Sequence, residues 1–231
     1  MNPKKKRTAR APIERKARPS SRKRSTKRAE NKERTRKEIL RVALELFSKK
    51  GFLRTTTKEI SHKAKIAGGT LFNYFKTKED LALYFFEEEL ALLIEWYQAN
   101  DALHKAPLPE KLFAIVYRHL ERMSPYEEFI GAVYLRSFQP FSRLNPMRLE
   151  TQERNLRYLR FVKEVINESE EEAGLLRRLG DLGAYAFGLF HFAILSYWLQ
   201  DSSPGKERTL ALLDRSLKVA TPILTRRTWK W

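Results

Sequence analysis

A chain of 231 residues that is 42% hydrophobic and 12% aromatic holds enough apolar material for one or two packed domains. Its formal net charge of +18 directs it toward polyanions, either nucleic acid or an anionic membrane surface. Cysteine is absent, which excludes disulfides, thiolate zinc sites and cysteine redox sensing.

The charge is concentrated at the start. Residues 1–33 carry 14 Lys and Arg against 3 Glu, a net of +11 that leaves +7 for the rest of the chain. With Ile13 as its one large aliphatic residue, this arm is expected to be disordered, because it buries too little to offset chain entropy. It lacks the apolar stretch of a signal peptide. Pro3-Lys4-Lys5-Lys6-Arg7 matches a nuclear import signal, a pattern that short basic tails meet by chance.

From Arg34 the pattern is helical. Ile39, Ala43, Leu46 and Phe47 fall at i, i+4, i+7 and i+8, one face of a helix that stops near Gly51. Thr56-Thr57-Lys58-Glu59 reads as a capping box opening a short second helix, which carries Ile60 and Ala64 inward. Lys65-Ile66-Ala67-Gly68 has the length of the turn in a helix-turn-helix, and Leu71 and Phe75 give a third helix its core face. That register sends Gly69, Thr70, Asn73 and Tyr74 outward, with Phe72 at the boundary. The outward face is small, polar and uncharged, and Lys58, Lys76 and Lys78 flank it. It reads either as a solvated face or as a surface for a phosphate-bearing partner, since glycines at a helix head let backbone amides approach a phosphate closely.

The segments ALELF, GF, TTTKEIS, AGGTLFNYF and KTKEDL, in this order and spacing over Arg34–Leu81, resemble the DNA-binding domain of the TetR family of bacterial transcriptional regulators. The resemblance implies that the third helix enters the major groove, while the second helix and the start of the fourth hold phosphates. It places Thr57 and Lys58 near the duplex, Gly68, Gly69, Thr70 and Asn73 before the bases, and Phe72, Tyr74 and Lys78 at the DNA backbone. Three departures stand out. Lys65 occupies a turn position where the family usually has glycine, which puts a left-handed backbone on a side chain that disfavours it. Ala67 replaces the usual capping serine, a loss of about 1 kcal/mol. Phe72 replaces a tyrosine whose hydroxyl commonly reaches a phosphate, and Tyr74 is a candidate substitute.

Downstream, Thr77 caps a long helix running to about Gln98, Pro109 and Pro125 open two more, and Leu149, Leu156, Leu159 and Ile166 stripe another. Ser169-Glu170-Glu171-Glu172 is a further capping box leading toward Gln200, and its acidic cluster with Glu168 reads as a solvated helix start. Ser203-Pro204 begins a last helix that Pro222 ends. The nearly apolar run Ala184–Leu199 is short for a bilayer and holds His191 and Ser196, so it reads as a buried helix. No alternating strand pattern appears. The expected fold is all-α: a disordered basic arm (1–33), a helix-turn-helix DNA-binding domain (34–81), and a helical effector-binding and dimerisation domain (82–231).

Two constellations remain. Leu210, Leu213, Leu217, Ala220 and Leu224 follow a 3-4-3-4 rhythm, and Gly180, Ala184 and Gly188 form a small-residue stripe. Both patterns serve close helix packing, across a homodimer or within one subunit, and the TetR resemblance favours an intersubunit four-helix bundle. Twenty-two of the 27 aromatics lie in residues 82–231. Trp96, Phe113, Tyr117, Phe187, Phe190 and Trp198, with Tyr117, His119, Tyr185 and His191 as polar groups, are candidates for a pocket taking a small hydrophobic or aromatic effector. Each also fits an ordinary core position. Arg136 is available for a carboxylate if it turns inward.

Nucleotide-binding, hydrolase and zinc-protease motifs are missing and the four histidines show no ligand spacing, so neither enzyme activity nor a metal or cofactor is expected. The expectation is a cytoplasmic, homodimeric, ligand-responsive regulator, a repressor, that binds palindromic double-stranded operator DNA and is released by a small molecule. The rival is a constitutive architectural DNA-binding protein relying on its basic arm.

Overall fold

A computed structural model describes residues 21–139, 141–145, 148–169 and 174–225. Among these there are eleven α-helices and two short 3-10 turns, with no strand. The chain divides into two compact units, Met1–Lys37 and Glu38–Trp231.

Helix α1 spans Ser21–Lys50, so residues 21–33 are helical where disorder was expected. The stretch contains neither glycine nor proline and is rich in Arg, Lys and Glu, which hold a helix without burying a face. The rest of the arm lies outside the described residues. Ile39, Leu40, Ala43 and Phe47 are buried. The helix ends where the Gly51 N–H donates to the Phe47 carbonyl (2.8 Å), with Gly51 at φ +81°, a conformation that favours glycine.

Helix α2 (Thr57–Lys63) starts on the expected capping box: the Glu59 N–H donates to the Thr56 hydroxyl (3.2 Å) and the Thr56 N–H to the Glu59 carboxylate (2.9 Å). Helix α3 (Gly68–Tyr74) begins on Ala67 with no side-chain cap. Between them Lys65 has φ 55°, the left-handed backbone that the missing glycine implied. Lys65→Gly is therefore expected to stabilise the protein by about 1 kcal/mol. A thermal melt should rise by about 2–4 °C for that change in a domain of this size, and a fall would mean that the lysine side chain holds the turn.

Helix α4 (Lys78–Gln98) opens on a second capping box, Thr77 with Asp80. Helix α5 (Asp101–His104) is one turn; α6 (Leu108–Met123) has Pro109 in its first turn; and Pro125 lies in the 3-10 turn before α7 (Glu127–Ser137). Helix α8 (Leu149–Glu168) buries Phe161, Val162, Val165 and Ile166, whereas Leu156 is exposed, so its inward face is rotated from the expected stripe. The further capping box falls partly on residues 170–173, outside the described residues. The single helix expected to follow it is broken into α9 (Gly174–Leu179) and α10 (Asp181–Trp198) at Gly180, φ 55°.

Helix α11 (Glu207–Thr225) follows the 3-10 turn at Pro204 and continues past Pro222, which was expected to end it. Pro222 forfeits the hydrogen bond that its N–H would donate to the Lys218 carbonyl, and the helix continues to Thr225 without it. Helix α10 packs on α8 and α9, α11 on α6 and α9, and α4 on α6 and α8. Among the described residues no helix is long and apolar enough to cross a membrane.

One aromatic side chain joins α1 and the turn after it to α4 and α7. Phe129 of α7 lies 5.0 Å from Phe47, 5.6 Å from Phe52 and 5.3 Å from Phe85, ring centre to ring centre. All four rings are nearly inaccessible to solvent.

Candidate functional site

The outward face of α3 follows from its inward one. Leu71 and Phe75 are buried, which leaves Gly68, Gly69, Phe72 and Asn73 exposed and Thr70 and Tyr74 half-buried. A Cβ built on Gly68 or Gly69 would meet no atom within 4 Å, and neither residue has positive φ. Nothing inside the chain calls for glycine at these two positions. Thr57 is half-buried, and Lys58 and Lys76 are exposed beside this face.

Lys78 differs from the other flanking lysines. Its ammonium donates to the carbonyls of Phe52 (2.8 Å) and Leu53 (3.1 Å) and lies 5.0 Å from the centre of the Phe52 ring. Burial lowers its pKa below the ordinary lysine value. The cation thus caps the turn after α1, and at most one of its N–H bonds remains for a phosphate.

A cavity of about 240 Å³ opens in the helical body. Its apolar wall comes from Leu83, Phe86 and Leu90 of α4, Met123 of α6, Ile130 and Val133 of α7, Leu144, and Phe192 and Leu195 of α10. Of the nine residues expected to form a pocket, only His119 and His191 line it. Phe187 and Trp198 are buried in the core, Trp96, Phe113 and Phe190 pack against it, and Tyr117 and Tyr185 are exposed. Helix α10 turns its His191 side to the cavity because α8 covers that side, a tertiary fact that no periodicity in an all-apolar helix reveals. The missed residues carried a signal nonetheless: Leu83, Phe86 and Leu90 recur at i, i+3 and i+7, and Arg154 and Tyr158 lie one turn apart.

The polar part of the wall is a hydrogen-bonded chain. The Tyr158 hydroxyl lies 2.5 Å from His191 Nδ1, and His191 Nε2 lies 3.0 Å from His119 Nδ1. Burial and the charges of Arg122 and Arg154 push the His119 pKa down to about 4; burial and the neighbouring His119 hold that of His191 well below the ordinary histidine value. Burial raises the Tyr158 pKa. Both imidazoles are therefore neutral and the phenol protonated at neutral pH. If Tyr158 donates to His191, His191 donates to His119, and the His119 Nε2–H faces onward. If the chain reverses, the Tyr158 O–H becomes the outward donor.

From this cavity a polar link runs to the start of α4. Arg136, on the cavity-lining helix α7, pairs with Glu79 (3.2 Å), and Arg143, beside Leu144, pairs with Asp80 (3.0 Å). Arg136 thus binds a carboxylate of its own chain rather than turning into the cavity. The Asp80 carboxylate has two tasks, since its other oxygen accepts the Thr77 N–H and closes the α4 capping box.

Most of the residues expected to join two subunits are covered by the chain's own helices. Ala184, Leu213 and Leu217 are buried within the subunit, Gly180 and Leu210 are half-buried, and a Cβ on Gly188 would meet Leu159 of α8 at 3.3 Å. The side chain of Leu224 lies outside the described residues. The large apolar side chains left exposed on these two helices are Leu182, Tyr185, Leu189, Phe192 and Tyr197 on α10, with Leu212 and Val219 on α11. Within one subunit, the core takes Ala184, Leu213 and Leu217, and Gly188 lies against α8.

The chain is similar to known proteins at both ends. The family description "Bacterial regulatory proteins, tetR family" matches residues 39–85, and "Tetracyclin repressor-like, C-terminal domain" matches residues 111–230. The fatty acid metabolism regulator protein of Bacillus subtilis is 30% identical over 87 residues, 38% of this chain and 44% of that protein, so the match spans less than half of the relative. Among solved structures, FadR of Thermus thermophilus in complex with lauroyl-CoA superposes with a TM-score of 0.60 at 22% identity, covering 84% of this chain and 97% of that one. The transcriptional regulator FadR of Bacillus subtilis in complex with stearoyl-CoA superposes at 0.58 and 20% identity, covering 80% and 96%.

Proposed function

The chain belongs to the TetR family of bacterial regulatory proteins, and from that membership we propose that it is a homodimeric repressor of palindromic operators, released by an amphiphile with an apolar, acyl-type chain. The DNA half rests on one observation: Gly68 and Gly69 stand exposed at the head of α3 with open space in front of them and no conformational need for glycine. A side chain there would hold α3 away from a surface that approaches from outside, and the helix's uncapped N–H groups suit a phosphate. Thr70 and Asn73 are then the base readers. Thr57, Lys58, Phe72 and Tyr74 contact the DNA backbone, and Lys78 acts chiefly by fixing the turn after α1.

The cavity supports the effector half, because most of its wall is apolar and a few polar groups converge at one side. The relatives bound to stearoyl-CoA and lauroyl-CoA favour an acyl chain as the apolar part. Dimerisation through the exposed Leu182, Tyr185 and Leu189 with Leu212 and Val219 would cover the apolar patch on α10 and α11.

The test is footprinting on genomic fragments, followed by binding titrations of variants. A discrete palindromic footprint is expected. Asn73→Ala should change which bases are tolerated by about 1–3 kcal/mol, whereas Lys58→Ala should weaken every sequence alike and flatten the salt dependence by about one counterion. Protection without a discrete site would favour an architectural protein relying on its basic arm. Altered base preference in Lys58→Ala would overturn the assignment of readers and clamps.

A further inference from the structure

Among the described residues lining the cavity, Arg154 carries the only formal charge. The nearby Arg122 is answered by Glu89 through two hydrogen bonds, 2.7 and 3.1 Å. Arg154 has no such partner. Among the described residues its guanidinium makes one hydrogen bond, 3.3 Å to Asn155 Oδ1, and lies 5.5 Å from the centre of the Phe86 ring. Glu87 is the one carboxylate whose charge it feels appreciably, and that side chain is exposed and not in ion-pair contact. Burial lowers the Arg154 pKa, yet a guanidinium remains protonated.

A desolvated cation without a counter-ion is costly, and an anion arriving in the cavity removes that cost. The guanidinium's planar fork suits a carboxylate, which it can bind through two parallel N–H bonds. Tyr158 follows one helical turn later on the same face of α8. Its hydrogen-bonded chain through His191 to His119 presents an outward donor at one end or the other. His119 Nε2 has no partner among the described residues, so a second acceptor oxygen can be taken there.

We propose that Arg154, with the Tyr158–His191–His119 chain beside it, is a head-group subsite for a carboxylate, and that the cavity takes an aliphatic carboxylic acid. The tail runs along Leu83, Phe86 and Leu90 and the carboxylate meets Arg154. The proposal rests on reading the cavity as the effector site and names the ligand class for it. A thioester carries no charge at the corresponding atoms, so a free acid depends on Arg154 in a way that an acyl-CoA does not.

The full chain is titrated with dodecanoate, dodecan-1-ol and dodecanoyl-CoA, following tryptophan fluorescence and release of operator DNA. The unmodified protein should bind dodecanoate about 10- to 100-fold more tightly than dodecan-1-ol, the range expected for a charge-assisted hydrogen-bonded pair. Arg154→Gln should abolish that preference while leaving dodecan-1-ol nearly unchanged, and Arg154→Lys should restore part of it. Equal affinity of the unmodified protein for dodecanoate and dodecan-1-ol overturns the proposal, whether or not the variants fold. Undiminished dodecanoate binding by Arg154→Gln does the same. If only dodecanoyl-CoA binds and releases DNA, the carboxylate subsite falls while the effector site stands; if none of the three acts, both fall.

Discussion

Phe129→Ala is expected to cost about 3–5 kcal/mol of unfolding free energy, the range for truncating an aromatic ring in a core that cannot close over the gap. The ring touches Phe47, Phe52 and Phe85, which come from α1, the turn after it and α4. No one of these elements can move in without leaving the others. Truncation therefore loosens the seat of the helix-turn-helix as well as the global fold, and operator affinity should fall further than a distant core truncation of equal cost would lower it. Urea denaturation with operator titrations on the same preparations measures both. Phe129→Leu, which keeps most of the volume, should recover more than half of the loss. A cost below about 1 kcal/mol would mean that the aromatic cluster repacks around the hole.

Local chemistry was legible in the chain, and tertiary placement was not. The capping boxes at Thr56 and Thr77 involve atoms three residues apart, so the sequence pattern already contains both partners. Lys65 is similar: the turn demands a left-handed residue and the chain supplies a lysine, which duly has φ 55°. The pocket differs, because a helix that is apolar all round presents no preferred face. Which side of Tyr185–Trp198 looks into the cavity is decided by α8, some thirty residues upstream. Leu213 and Leu217 teach the same lesson: their spacing announces a packed seam without saying whether the packing partner is another copy or the same subunit. Gly180 is a third case, since a glycine inside a helical pattern reads as a small packing residue until its φ of 55° marks a break.

The largest functional effect is expected from cutting the link between cavity and DNA-binding helices. Arg136 and Arg143 sit on the segment that contributes Ile130, Val133, Tyr134, Ser137 and Leu144 to the cavity, and they grip Glu79 and Asp80 in the first turn of α4. That turn adjoins Lys78, which holds the Phe52 and Leu53 carbonyls before α2. An effector that shifts α7 would pull on α4 through two half-buried ion pairs, and it changes DNA affinity only by its differential affinity for the two arrangements. In Arg136→Gln/Arg143→Gln, dodecanoyl-CoA or dodecanoate should still quench tryptophan fluorescence, while the change in operator affinity at saturation should collapse toward unity from the about 5- to 150-fold typical of coupled sites. Substituting the arginines is the cleaner route, because Asp80→Asn would also weaken the α4 cap. A charge exchange, Arg136→Glu with Glu79→Arg, should restore part of the coupling, which a merely destabilising role for either residue would not. Because coupling is reciprocal, operator DNA should weaken effector binding in the unmodified protein and cease to do so in the double variant. Full release of DNA by effector in the double variant would show that the signal travels by packing alone, through Phe129 and its neighbours.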